Sequence, residues 1–153
     1  MVRVLAEGFP RSGNAYLYKL LLASFPNDEV IEFSHSVKKI TPQTMILIRN
    51  PKDSISSFMS LFQEFNLTSS EQWWLRFYNT VSDKINPERW IFFEDLINET
   101  EQTVERIGNM VGITPIKIDY SKLSKNASLK SYPLYSFDKA EALYTKLQQE
   151  RQK

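Results

Sequence analysis

The sequence contains no cysteine, only four glycines and a single histidine in 153 residues. Without thiols there is no disulfide, no thiolate nucleophile, no iron–sulfur cluster and no cysteine-ligated zinc. No apolar run approaches the roughly 20 residues that a membrane-spanning helix requires. An excess of either charge is missing too: 19 Lys and Arg against 18 Asp and Glu leave a net charge of +1. Nothing global therefore attracts nucleic acid, and any anion site must come from local clustering. The first expected strand begins almost at the first residue, which leaves no room for a signal peptide and makes a cytoplasmic protein the expectation. The N-x-[ST] triplets at Asn66, Asn98 and Asn126 are then incidental.

What is present is the composition of an ordinary soluble globular protein, 42% hydrophobic and 24% charged, and its length suits one domain over residues 1–153. "VRVLAE", Val2 to Glu7, reads as a strand and Asn14 to Phe25 as a helix, with Leu17, Leu20, Leu21 and Ser24 on one face. "EVIEFS" reads as a second strand, and "TMILIR" as a strand buried on both faces. Asn50 caps, and Pro51 opens, a helix expected to reach about Phe65; Ser69 or Ser70 should cap the next. "RWIFFEDL" reads as a fourth strand, followed by a helix ending at Gly112 and a last helix from about Asp138. The pattern predicts an α/β fold of three layers, with a mostly parallel four-stranded sheet and helices on both faces, P-loop-like in its first turn. Ligands of such sheets lie beyond the carboxyl ends of the strands, where Gly8 to Tyr16, His35, Arg49 and Asn50 are all expected.

The stretch "GFPRSGNAY" frames a strand-to-helix turn with Gly8 and Gly13, the glycine spacing of a nucleotide-binding P-loop. The lysine and magnesium-binding hydroxyl that should follow Gly13 are replaced by Asn14 and Ala15, which argues against ordinary NTP hydrolysis. Backbone N–H groups from Ser12 to Ala15 would still face an anion at the helix N-terminus, and Arg11 adds a fork of donors suited to phosphate or sulfate. Farther on, "LIRNPKDSISSF" carries Arg49 at a strand end and Ser57 about two helical turns later.

Taken together, "GFPRSGNAYL" and "IRNPKDSISSF" resemble the two donor-binding segments of the sulfotransferases that use 3'-phosphoadenosine 5'-phosphosulfate (PAPS). The likeness covers about residues 2 to 112, and Trp73-Trp74 and "WIFFEDL" also fit it. It implies PAPS as the donor, adenosine 3',5'-bisphosphate as the leaving product and no metal. It further implies that Arg11, Ser12, Gly13, Asn14 and Ala15 hold the phosphosulfate, with Arg11 meeting the charge of the leaving phosphate. Arg49 and Ser57 would bind the 3'-phosphate, Tyr16 would stack on adenine, and Phe93 would contact it. His35 would be the catalytic base toward an unidentified hydroxyl or amine acceptor, with Glu32 and Glu94 as alternatives.

The sequence departs from that family at several points. Asn14 and Ala15 replace two threonines, Phe93 replaces a tyrosine, and Phe33 stands where a lysine precedes the histidine. The C-terminal R-K-G segment that closes over the 3'-phosphate is absent, leaving Lys125 or Lys130 as substitutes. Two other readings stay open: a non-catalytic nucleotide-binding or interaction module, and an atypical P-loop kinase.

Overall fold

The run Met45-Ile46-Leu47-Ile48 is apolar throughout, and all four residues are buried. It forms β3 (Met45–Ile48) in the computed structural model, which describes residues 4–11, 14–25, 31–34, 41, 43–122 and 132–152. β3 pairs in parallel with β1 (Val4–Gly8) and with β4 (Trp90–Phe92), and β1 pairs in parallel with β2 (Ile31–Ser34). The strand order is β2-β1-β3-β4. Register places Gly8 beside Leu47 and Ile48 beside Phe92, so the carboxyl ends of β1, β3 and β4 arrive close together.

Alternation along the strands divides the interior in two. Ile46, Ile48, Trp90 and Phe92 join a cluster with residues of α2 (Pro51–Leu61), α3 (Leu67–Lys84) and α6 (Asp138–Gln152), among them Ile55, Trp74 and Tyr144. Met45, Leu47 and Ile91 join a second cluster, with α1 (Asn14–Ser24), α4 (Phe93–Asn98) and α5 (Thr100–Val111) supplying Leu17, Leu20, Leu96 and Ile107.

The expected fold class, a three-layer domain organised by a four-stranded sheet, is corrected in where its mass lies. The described residues are mostly helical: helices of 6 to 18 residues stand against strands of 3 to 5. The sheet is a narrow strip rather than a platform. "RWIFFEDL" shows why. Only Trp90–Phe92 is extended, and the chain becomes helical at Phe93, where Glu94 and Asp95 occupy a first turn that favours negative charge.

Caps account for other boundaries. Asn50 accepts from the Lys52 N–H at 3.0 Å and Pro51 opens α2, but that helix stops at Leu61, short of Phe65. α3 begins earlier than Ser69 because Asn66 and Ser69 form a reciprocal capping box, with Asn66 Oδ1 accepting from the Ser69 N–H at 2.8 Å. α5 ends at Gly112, whose φ of 75° is the left-handed conformation that glycine adopts without strain. No described helix is long and apolar enough to cross a membrane.

One side chain joins these layers. The hydroxyl of Tyr78, on α3, accepts from the Phe9 N–H at 3.1 Å and donates to the Leu47 carbonyl at 2.7 Å. Both bonds are buried, so neither backbone group has water to turn to. Tyr78→Phe should lower unfolding stability by about 2–4 kcal/mol, because it strands two buried backbone groups, each costing about 1–3 kcal/mol. Urea denaturation of both proteins checks this; a loss below about 0.5 kcal/mol, the ordinary scatter of surface substitutions, would refute the bracing role.

Candidate functional site

Just past β1 the backbone does something costly. Arg11 has φ of 69°, the single positive value among described residues other than glycine. For a residue with a Cβ this conformation costs about 1–2 kcal/mol. Two contacts offset it: the Arg11 carbonyl accepts from Arg49 Nη1 at 3.0 Å, and Arg11 Nε donates to Ser57 Oγ at 3.0 Å. Charged donors make such bonds worth about 1.5–3 kcal/mol each. Ser57 itself is only 2% exposed, on the face of α2 that turns inward.

The expectation assigned Arg11 to one phosphate, and Arg49 with Ser57 to another. The structure links the two sets: Arg11 bonds Ser57 through its side chain and Arg49 through its carbonyl. Ser57 spends its acceptor on Arg11, and Arg49 spends a donor on the Arg11 backbone. Arg49 thus holds the Arg11 backbone, and Ser57 holds the Arg11 side chain.

Phe93 is brought to the same place, though not on a strand. As the first residue of α4 its ring lies under the guanidinium of Arg49, 4.4 Å from carbon to centroid. Its neighbour Glu94 accepts from the Asn50 N–H through Oε1 at 3.1 Å. The other oxygen, Oε2, is buried and has no hydrogen-bond partner. Glu94 thus ties α4 to the start of α2.

Tyr16 is corrected more sharply. It is 4% exposed and packs with Leu17, Leu20 and Leu21 in the second cluster, so its ring cannot stack on an adenine. Ala15 is exposed on α1, and Asn14 is its first residue. Ser12, Gly13, His35, Lys125 and Lys130 lie outside the described residues, as does the side chain of Glu32. Of the tryptophan pair, Trp74 is core, whereas Trp73 is partly buried and meets Phe9 and Phe58 edge-on, at centroid distances of 5.3 and 5.1 Å. Among the described residues no group of three or more His, Cys, Asp or Glu could hold a metal ion.

Two groups that sequence reasoning passed over support this site. Tyr78 fixes the peptide of Phe9, two residues before Arg11; nothing in "WWLRFY" distinguishes its hydroxyl from an ordinary core ring. Tyr144 brings α6 to the same end of the fold. Burial first, and then the adjacent Glu94 carboxylate, raise its phenol above the ordinary 10.0. The folded state therefore keeps a proton that the unfolded chain releases above pH 10. The stability that this group contributes is complete below that pH and lost above it, at about 1.4 kcal/mol per pH unit. Tyr144→Phe should accordingly show a shallower alkaline loss of stability than the wild type, measured by urea unfolding from pH 9 to 11.5; parallel curves would contradict the shift.

Compared with known proteins, the chain matches no family model and no curated protein.

Proposed function

We propose that the chain is a sulfotransferase that moves a sulfuryl group from PAPS to a hydroxyl or amine acceptor and releases adenosine 3',5'-bisphosphate. The observation that carries this reading is the gathering of Arg11, Arg49 and Ser57 beyond the carboxyl ends of β1 and β3. These are the residues on which the two resembling segments depend, and they come from positions 46 and 38 residues apart in the chain. In the reaction the acceptor atom attacks sulfur, the bond from sulfur to the nucleotide phosphate breaks, and the acceptor proton passes to a base. Negative charge grows on the leaving phosphate, and a fixed guanidinium neutralises it without reorganisation. Arg11 is that cation, steadied by Ser57 on one side and held through its backbone by Arg49. Of the two rings assigned to adenine, Phe93 alone stands beside the cluster, with Arg49 over one face. His35 is the first base to test, with Glu32 and Glu94 as the alternatives.

A second reading, a nucleotide-binding module without chemistry, draws on one observation: Tyr16 is sealed into the core, which leaves the adenine side of the site with less aromatic surface. Both readings require the bisphosphate to bind, and only the first requires transfer.

Calorimetry with adenosine 3',5'-bisphosphate in EDTA should show binding, with stabilisation of about 2.7 kcal/mol at 100 times the dissociation constant. Because the two arginines share one cluster, Arg49→Ala and Arg11→Ala should each weaken binding about tenfold or more, and their effects should be strongly non-additive. Additive effects would restore two separate anion sites. No binding, together with a magnesium-dependent shift by ATP, would favour a kinase. His35→Asn should leave bisphosphate affinity unchanged while transfer to a confirmed acceptor falls about 10²–10⁴-fold. Equal rates would move the base to Glu32, and tight binding with no acceptor ever sulfated would establish the module.

A further inference from the structure

Two consecutive residues at the start of α4 grip two consecutive residues beyond β3. The Phe93 ring lies under the Arg49 guanidinium, 4.4 Å from carbon to centroid. Glu94 Oε1 accepts from the Asn50 N–H at 3.1 Å. β3 ends at Ile48 and α2 begins at Pro51, so Arg49 and Asn50 are the whole connection between them. The Asn50 N–H belongs to the planar peptide that joins it to Arg49. Holding that N–H therefore fixes the carbonyl end of Arg49 and the direction in which its side chain leaves the backbone.

Asn50 cannot satisfy this N–H from its own helix. Its side chain accepts from the Lys52 N–H, and its carbonyl accepts from the N–H groups of Asp53 and Ser54. A helix N-terminus offers donors and no acceptors, so the acceptor must come from another element. Glu94 supplies it from α4. The buried Tyr144 phenol of α6 lies beside the same carboxylate. Glu94 thus stands between the last helix and the arginine that reaches the Arg11 carbonyl at 3.0 Å.

We propose that Glu94 is a positioning residue for anion binding: through the Asn50 N–H it holds Arg49 with its guanidinium over Phe93 and against the Arg11 carbonyl. Glu94 acts here as an acceptor and not as a charge. Its negative charge alone opposes an anion nearby, so the two effects differ in sign. The consequence for affinity rests on the reading of Arg49 as an anion-binding residue, whereas the consequence for the placement of Arg49 does not.

Three variants of the whole chain test this. Glu94→Gln keeps an acceptor for Asn50 and can turn its amide toward the Tyr144 oxygen. Glu94→Ala removes the acceptor, and Glu94→Asp keeps the charge but withdraws the acceptor by one methylene. In the free protein, the Arg49 side-chain protons beside the Phe93 ring should resonate upfield of their ordinary positions, and the Asn50 amide should exchange slowly with solvent. Glu94→Gln should preserve both features, and Glu94→Ala and Glu94→Asp should lose them. Should Glu94→Ala fail to fold, Glu94→Asp carries the same comparison.

Calorimetry with adenosine 3',5'-bisphosphate then reads the effect on affinity. Glu94→Ala and Glu94→Asp should bind about three- to tenfold more weakly, within what one charge-assisted hydrogen bond supplies. Glu94→Gln should bind at least as tightly as the wild type. In an Arg49→Ala background Glu94→Ala should cost nothing further, because the group that it positions is gone. Arg49 resonances unchanged in Glu94→Ala and Glu94→Asp, a loss in Glu94→Gln as large as in Glu94→Ala, or additive losses with Arg49→Ala would each overturn the proposal. If the wild type binds no bisphosphate while the Arg49 and Asn50 signals respond as stated, the nucleotide reading fails and the hold of Glu94 on Arg49 stands.

Discussion

The buried hydroxyl of Tyr78 ties the middle of α3 to the ends of β1 and β3, two strands already paired with each other. A parallel strip this narrow leaves backbone groups without partners where the strands run out, and each such group must be satisfied inside the protein. Tyr78 meets one donor and one acceptor at once. The position of Phe9 follows, and the turn carrying Arg11 follows from Phe9. An arginine held at positive φ persists only where its surroundings over-determine it, and here Tyr78 upstream, Arg49 on the carbonyl and Ser57 on the side chain do so together.

That arrangement concentrates two positive charges on a chain whose net charge is +1. Each guanidinium is already occupied in part, Arg11 by Ser57 and Arg49 by the Phe93 ring and the Arg11 carbonyl. The anion that the proposed function requires would compete with some of these contacts and inherit the rigidity of the rest. Preorganisation of this kind lowers the ordering cost of binding, which matters more to affinity than the number of contacts. The price is a site whose members cannot be altered singly without disturbing one another.

The C-terminal quarter, beyond the stretch that resembles the sulfotransferases, proves to be stitched to that stretch. The Tyr135 N–H donates to Ser56 Oγ at 3.0 Å, next to Ser57, and the N-terminus of α6 is met by Glu71 of α3 through the Ala140 N–H at 3.2 Å. Tyr144 then reaches the neighbourhood of Glu94, which holds Asn50 at the start of α2. The last helix therefore closes the α2–α3 side of the fold and bears on the same strand ends as Arg11 and Arg49.

Local rules determined a good part of this from the sequence alone. A run of four apolar residues became the buried strand Met45–Ile48, Asn50 and Pro51 started α2, and Gly112 ended α5, because burial, capping and positive φ depend on residues close in the chain. The tertiary structure decided the rest. Tyr16 and Phe93 are both aromatic residues beside strand ends, yet one is sealed among leucines and the other lies under a guanidinium. "FFED" could continue a strand or open a helix, and it turned helical where Glu94 found the Asn50 N–H. Arg11 and Ser57 were each singled out in the sequence, but not as partners, since 46 residues separate them. Which side chain meets which across that distance is set by strand register and helix packing, and no local pattern in the sequence encodes it.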